Sequence, residues 1–293
     1  MSMTGAILAV AQAIASALLT REITDALDAE RRAAVQRVDA WFNDPGKQKC
    51  WLHIEKQEYC ARLAELIARP HLLFQGNTGF CQPAACLYPL LRRYPGKMAQ
   101  FGLNIFERGA GQIGELSIEM TTGLRSSDLK QYIKNKNLRV NVADYLLLLT
   151  IQEAHSIFDI DSPDDYSAAP VVLGGDIEEF FADTELYAEV KDKGADFDLV
   201  KDIRLEDTEV ILTGPIEFFS SAPLGHHAVV LASPFTPTPD STFECLFWSW
   251  GAIEDTNTFE RVNDKFYRLE FTPAHYRSNI RSTIIAKGAK EWR

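Results

Sequence analysis

A chain of 293 residues that is 46% hydrophobic and 11% aromatic carries enough apolar material for a substantial core, and its length allows one large domain or two modest ones. A formal net charge of -11, with no basic run of five or more residues, opposes attraction to nucleic-acid phosphates and to anionic lipid, so nucleic acid is not expected as a partner. The five cysteines (Cys50, Cys60, Cys81, Cys86 and Cys245) are odd in number and include no CxxC pair, which argues against a disulfide framework and against a zinc pattern. No metal and no cofactor are expected.

Residues 5–19 (GAILAVAQAIASALL) form an apolar stretch shorter than the roughly 20 residues needed to span a bilayer. No basic residue precedes Arg21, so the positive start of a secretory signal is missing. A buried alanine-rich helix without a stable membrane span is expected, in a chain made in a cytoplasm. The spacing of Leu27, Val35, Val38, Trp41 and Phe42 predicts a helix over 25–42, closed by Asp44-Pro45-Gly46. A second helix is expected over 54–68, stopping before Pro70. Residues 1–70 therefore read as a helical N-terminal region. With no cleavage signal in view, an added layer is favoured over a pro-region.

Further along, 116–120 reads as a strand, 126–134 as a short helix and 142–158 as a long, largely buried helix capped by Asn141. The acidic run 159–165 lacks the glycine and distal glutamate of an EF-hand and is expected to be a solvated loop. Short apolar or aromatic runs at 210–212, 228–232 and 243–250, bounded by Gly, Pro and Ser, predict strands. Helices first and antiparallel strands later define an α+β chain, with helical and sheet layers facing each other across a cleft.

Three segments carry chemistry. In Gln75-Gly76-Asn77-Thr78-Gly79-Phe80-Cys81-Gln82-Pro83-Ala84-Ala85-Cys86, a polar loop runs into residues suited to a helix start. The positive end of that helix would stabilise a Cys81 thiolate and lower its pKa into a reactive range. Pro83 suits the first turn, and Cys86 reads as a buried small hydrophobe. Pro89 should kink or end the helix, because it removes a backbone bond. The second segment, His226-His227-Ala228-Val229, reads as a strand opening on histidine, of which only one ring can face Cys81. A neutral imidazole there could take the thiol proton and later protonate a leaving amine. The third segment is Phe247-Trp248-Ser249-Trp250-Gly251. Each has an ordinary reading as well: core packing for the cysteine, a strand edge for the histidines, sheet packing for the tryptophans.

Together, in this order, the segments resemble the papain-like cysteine peptidase superfamily. Gln75 and Cys81 have the spacing of that family's oxyanion glutamine and nucleophile, and Pro83-Ala84-Ala85 is similar to the bacteriocin-processing branch. His227-Ala228-Val229 matches the family's catalytic histidine segment. Trp248-Ser249-Trp250-Gly251 resembles its Asn-Ser-Trp-Gly, except that Trp248 stands where the family has the asparagine that orients the imidazole. Indole can donate but not accept, so Ser249, Glu244, Asp240 or a backbone carbonyl must supply an acceptor, and spacing does not choose among them. Trp250, in the family's position, would shield the histidine contact.

The resemblance implies a papain-like catalytic domain over 71–293, with Cys81 as nucleophile, His227 as base and Gln75 as oxyanion donor. The expected activity is hydrolysis of an amide or peptide bond through a thiol acyl-enzyme, on a protein or peptide substrate. A glutamine deamidase or transglutaminase on the same fold, and a catalytically degenerate binding module, are the alternatives. A stand-alone cysteine hydrolase without a signal peptide suggests a bacterial effector or toxin exported by a signal-peptide-independent machine, with an inhibitor or immunity protein as a further partner.

Overall fold

In a computed structural model of the chain, the residues described are 25–154, 162–164, 174–219, 226–250, 259–262 and 265–289. The apolar stretch 5–19, Gly225, Gly251 and most of the acidic run lie outside them. The expected end of the long helix at residues 155–158 does so too.

The first helices follow their apolar spacing. Helix α1 (Asp25–Asn43) and helix α2 (Lys56–Ala68) are followed by a single 3-10 turn, Pro70–Leu72. Both pack on α4 (Pro95–Arg108), where Tyr59 stacks on Phe106 with ring centroids 4.1 Å apart and its hydroxyl donates to the Gly102 carbonyl. Burial of an aromatic side chain of this kind is worth roughly 1.5–3 kcal/mol. Arg31, itself buried, donates from α1 to the carbonyls of Ile67 and Arg92. The N-terminal helices thus share one core with the rest of the helical layer.

Between α2 and α4 runs α3 (Cys81–Arg93), buried continuously from Cys81 to Leu91. Of the two outcomes expected from the sequence at Pro89, a kink or an end, the end does not occur. The proline removes only the bond to the Ala85 carbonyl, and packing on every side offsets that loss. Tyr88, one residue earlier, stacks on Trp248 of the sheet with centroids 3.9 Å apart.

A hairpin of β1 (Ala110–Ile113) and β2 (Leu116–Glu119) follows α4. The expected helix over 126–134 is two: α5 (Thr122–Ser126) and α6 (Leu129–Asn135). Asp128 separates them by accepting the Gln131 amide at 2.9 Å, which caps the second helix. Helix α7 (Val142–Glu153) starts at Asn141, whose side chain accepts the Ala143 amide at 2.8 Å, and it is buried from Val142 to Ile151. Helix α8 (Gly174–Asp183) completes this layer.

The C-terminal part is one antiparallel eight-stranded sheet. Its strands are β3 (Tyr187–Asp192), β4 (Thr208–Pro215), β5 (His226–Leu231), β6 (Thr236–Pro237), β7 (Phe243–Trp248), β8 (Phe259–Arg261), β9 (Phe266–Phe271) and β10 (Ser282–Ala289). The order is β3-β10-β4-β5-β7-β9-β8, with β6 paired to β7. The chain is therefore α+β. Residues on alternate sides of each strand enter different cores. Ala228, Val230, Leu246 and Trp248 join the helical core, while Val229, Leu231, Cys245 and Phe247 join a second core. The short helices α9 (Phe197–Val200), α10 (Ile216–Phe219) and α11 (Pro273–Asn279) cover that second core.

Candidate active site

Cys81 is the first residue of α3, preceded by Phe80 in a non-helical conformation with no side-chain cap. Pro83 has no amide hydrogen, so the Cys81 and Gln82 amides are the free donors of the first turn, and both lie near enough to the sulfur to favour a thiolate. The thiol points at β5. Its Sγ lies 3.9 Å from the His226 carbonyl oxygen, with the Ala228 amide near enough to favour a thiolate. These two backbone groups lie on the same edge of the strand. On that edge β5 pairs with β7 only at Val230 and Leu231, so the helix terminus fills the gap where the two strands part.

His227 sits between the two backbone groups that the sulfur touches. His226 is exposed and His227 is buried. Its ring contacts Trp250, with centroids 5.3 Å apart, and Phe219, at 6.2 Å. Trp250 belongs to the helical core and Phe219 to the opposite one, so the imidazole lies at the end of the sheet where the two faces meet. Nε2 is 3.0 Å from the Ser249 Oγ. Of the acceptors left open by the sequence, Ser249 is the one at the ring. Glu244 lies toward the other end of β7 beside Arg268, and Asp240 is exposed before that strand begins.

No hydrogen bond joins Sγ to the imidazole among the described residues; the sulfur reaches the backbone on either side of it. Burial pushes the Cys81 thiol up to about 11, against the pull of the Ala228, Gln82 and Cys81 amides. Burial also brings the His227 imidazole down to about 4. The expectation of a thiol lowered into the reactive range is therefore corrected: desolvation exceeds what a helix terminus supplies, and at neutral pH both groups are uncharged.

Gln75 lies in the loop that leads into α3 and is 7% exposed. Its Oε1 is buried, and the side chain makes no hydrogen bond among the described residues. The loop around it is tightly held. Thr78 Oγ1 donates to the Gln75 carbonyl at 2.9 Å, and Asn77 Oδ1 accepts the Arg139 amide at 2.8 Å. Gly76 has φ +62 and lies where a Cβ would come within 2.4 Å of the Arg139 carbonyl oxygen, so only glycine fits. A second orphaned amide oxygen, Gln82 Oε1, borders a cavity of about 20 Å³ with Pro83, Cys86, Ile151 and Asp176.

Trp248, which stands where the resemblance would put an asparagine, is fully buried. Its ring stacks on Tyr88 and its Nε1 donates to the His71 carbonyl at 3.3 Å, so it joins helix to sheet and does not face the imidazole's nitrogens. Trp250 is fully buried against His227, and its Nε1 has no partner among the described residues.

Two charged residues beside the loop were not singled out in the sequence. Arg62 of α2, half-buried, and Asp144 of α7, fully buried, form a pair that holds the segment leading to Gln75. An aspartate inside the apolar run Val142-Ala143-Asp144-Tyr145-Leu146 was the available signal.

A separate groove of about 600 Å³ is lined by Glu189, Lys191, Arg204, Lys287 and neighbouring residues, and contains none of the residues above. Among the described residues, no three His, Cys, Asp or Glu side chains gather to hold a metal ion, and no helix is long and apolar enough to cross a membrane.

In comparisons with known proteins, the chain matches no family model, no curated protein and no solved structure.

Proposed function

We propose that the protein is a thiol hydrolase of papain-like design, acting by acyl transfer to Cys81 on a protein or peptide substrate. The observation that carries this reading is the placement of the Cys81 sulfur, at the free amides of a buried helix terminus and against the two backbone groups that flank His227. His227 Nδ1 has no hydrogen-bond partner among the described residues, while Nε2 meets Ser249. With Nε2–H donating to Ser249 Oγ, the Nδ1 lone pair is free to take the thiol proton.

The sequence of events follows from these groups. A bound carbonyl draws the Cys81 proton onto His227, the sulfur attacks the carbonyl carbon, and the oxygen's developing charge is met by the Cys81 amide and by the Gln75 side chain. His227 returns the proton to the leaving amine. Water, deprotonated by His227, then releases the acyl group. Because the resting pair is neutral, ionisation belongs to the substrate-bound state.

The test uses the full chain and p-nitrophenyl acetate. Turnover that vanishes in both Cys81→Ala and His227→Ala, with an acyl group found on Cys81 by mass spectrometry, is the expected result. Equal turnover in either variant would sink the reading. A glutamine deamidase or transglutaminase would use the same residues and is distinguished by ammonia release without chain cleavage. An effector or toxin role predicts growth inhibition that the Cys81→Ala chain does not cause.

A second reading, a binding module on a catalytically degenerate scaffold, is favoured by one specific feature. Trp248 replaces the orienting asparagine and serves packing instead. Absence of any Cys81-dependent acylation, in a chain that still folds, is its expected outcome.

A further inference from the structure

Gln75 is buried and its Oε1 has no hydrogen-bond partner among the described residues, so the backbone that carries it has a large part in aiming its amide. Downstream it is held by Thr78, Asn77 and the Arg139 backbone. Upstream the hold comes from outside the loop. Arg62 Nε donates to Asp144 Oδ1 at 2.6 Å and Arg62 Nη2 to Oδ2 at 2.7 Å, a two-point fork. The same Nη2 donates to the Leu72 carbonyl at 2.8 Å, and the same Oδ2 accepts the Phe74 amide at 3.0 Å. Each partner of the pair therefore grips one backbone group in the three residues before Gln75.

The surroundings keep the fork in place. Arg62 Nη1 is taken by Glu65 Oε2 at 2.6 Å, and Lys265 lies over the Phe74 ring, 4.0 Å from its centroid. Asp144 is fully buried in the first turn of α7. A lysine at position 62 could not reproduce a fork that serves two carboxylate oxygens and a carbonyl together.

We propose that Arg62 and Asp144 are positioning residues that fix the backbone of residues 72–74 and so aim the Gln75 amide at the oxygen of the acyl group on Cys81. The inference rests on the thiol-hydrolase reading. It makes an otherwise structural ion pair between two helices a determinant of the oxyanion site. Misplacing a catalytic group by about 1 Å costs on the order of 100-fold in rate, which sets the scale of the effect.

The test combines Asp144→Asn and Arg62→Lys with Gln75→Ala in the full chain. It reads p-nitrophenyl acetate turnover, the rate of Cys81 alkylation by iodoacetamide at pH 9, and thermal unfolding. Alkylation forms no oxyanion, so it reports the thiol without the Gln75 contribution. The expected result is a kcat lowered on the order of 10- to 100-fold by Asp144→Asn, with KM and the alkylation rate unchanged. The same substitution should have no further effect in the Gln75→Ala background. Arg62→Lys, which keeps the charge, should behave likewise if Asp144→Asn fails to fold. Unchanged kcat in both variants overturns the inference and leaves the hydrolase reading standing. A loss repeated in full in the Gln75→Ala background, or matched by lost alkylation, also overturns it, because that pattern is general damage. Wild-type protein without Cys81-dependent turnover overturns both.

Discussion

His227 Nε2 lies 3.0 Å from Ser249 Oγ, one residue beyond the end of β7 and across the gap into which Cys81 points. The pairing of β7 with β9 carries this end of the strand, and Ser249 continues it by donating its amide to the Lys265 carbonyl at 3.0 Å. The hydroxyl is thus presented by a rigid sheet edge. For His227 to act as base at Nδ1, Nε2 must carry the hydrogen and Ser249 must accept it.

Ser249→Ala removes that acceptor and leaves a buried ring nitrogen unpaired. The cost to stability is expected to be about 1–3 kcal/mol in urea unfolding at pH 7. Turnover should fall roughly tenfold, the worth of one net hydrogen bond in orienting the ring. A variant with full turnover would show that the tautomer and ring position are set elsewhere.

Gln75 presents the opposite balance. Its Oε1 is buried without a hydrogen-bond partner among the described residues, which is a cost to the fold, and replacement by the similarly sized, apolar Met should raise stability. If the amide meets an oxyanion, the same Gln75→Met change should lower kcat by about 100- to 1,000-fold. Melting temperature and turnover measured on one preparation decide the matter. A gain in stability with no loss of turnover would assign Gln75 to packing alone.

The buried imidazole makes stability depend on pH in a defined window. Burial lowers His227 from its ordinary 6.5 to about 4, so the unfolded chain holds the extra proton between those values. Its contribution is present above pH 6.5 and is lost as pH falls through 4. That gap is worth roughly 3 kcal/mol. Urea unfolding of the wild type should show stability rising from pH 4 to 6.5, and His227→Gln should flatten that rise. An equal slope in the variant would assign it to other groups.

The α+β order was legible because its signals are local. Apolar spacing marked α1, Pro70 bounded α2, Asn141 capped α7, and short branched or aromatic runs marked β4, β5 and β7. The approach of Cys81 to the strand bearing His227 was an expectation of the resemblance alone, because neither segment's composition says what the other meets. What depended on desolvation could not be anticipated. No pattern in the sequence says that α3 is buried from Cys81 to Leu91, and that burial reverses the direction of the thiol's shift and carries the helix past Pro89. Long-range polar pairs were equally hidden. Arg62 and Asp144 stand 82 residues apart, and nothing local in either marks the other.

The far end of α3 offers a last measurable consequence. Glu209 of β4 is 1% exposed and receives Arg92 Nη2 at 2.5 Å on both carboxylate oxygens, together with Arg93 Nε. Arg93 also donates to the Leu205 carbonyl at 2.9 Å and the Glu206 carbonyl at 2.8 Å. The last turn of α3 is thereby tied to the sheet, which steadies the whole helix that carries Cys81 at its other end. Burial alone would raise the Glu209 carboxyl, but the two guanidinium groups outweigh it and hold it below the usual carboxylate value. A carboxyl lowered in the folded state contributes stability above its ordinary pKa of 4.5 and loses it as pH falls through the folded value. Glu209→Gln should therefore cost about 3–5 kcal/mol at pH 7, because it leaves two partly buried arginines without their counter-charge. The difference from wild type should shrink below pH 4.5, which overlaps the window assigned to His227 only between pH 4 and 4.5. Equal stability of the two proteins at pH 7 in denaturant unfolding would show that the cluster adds nothing beyond the packing of α3 on the sheet.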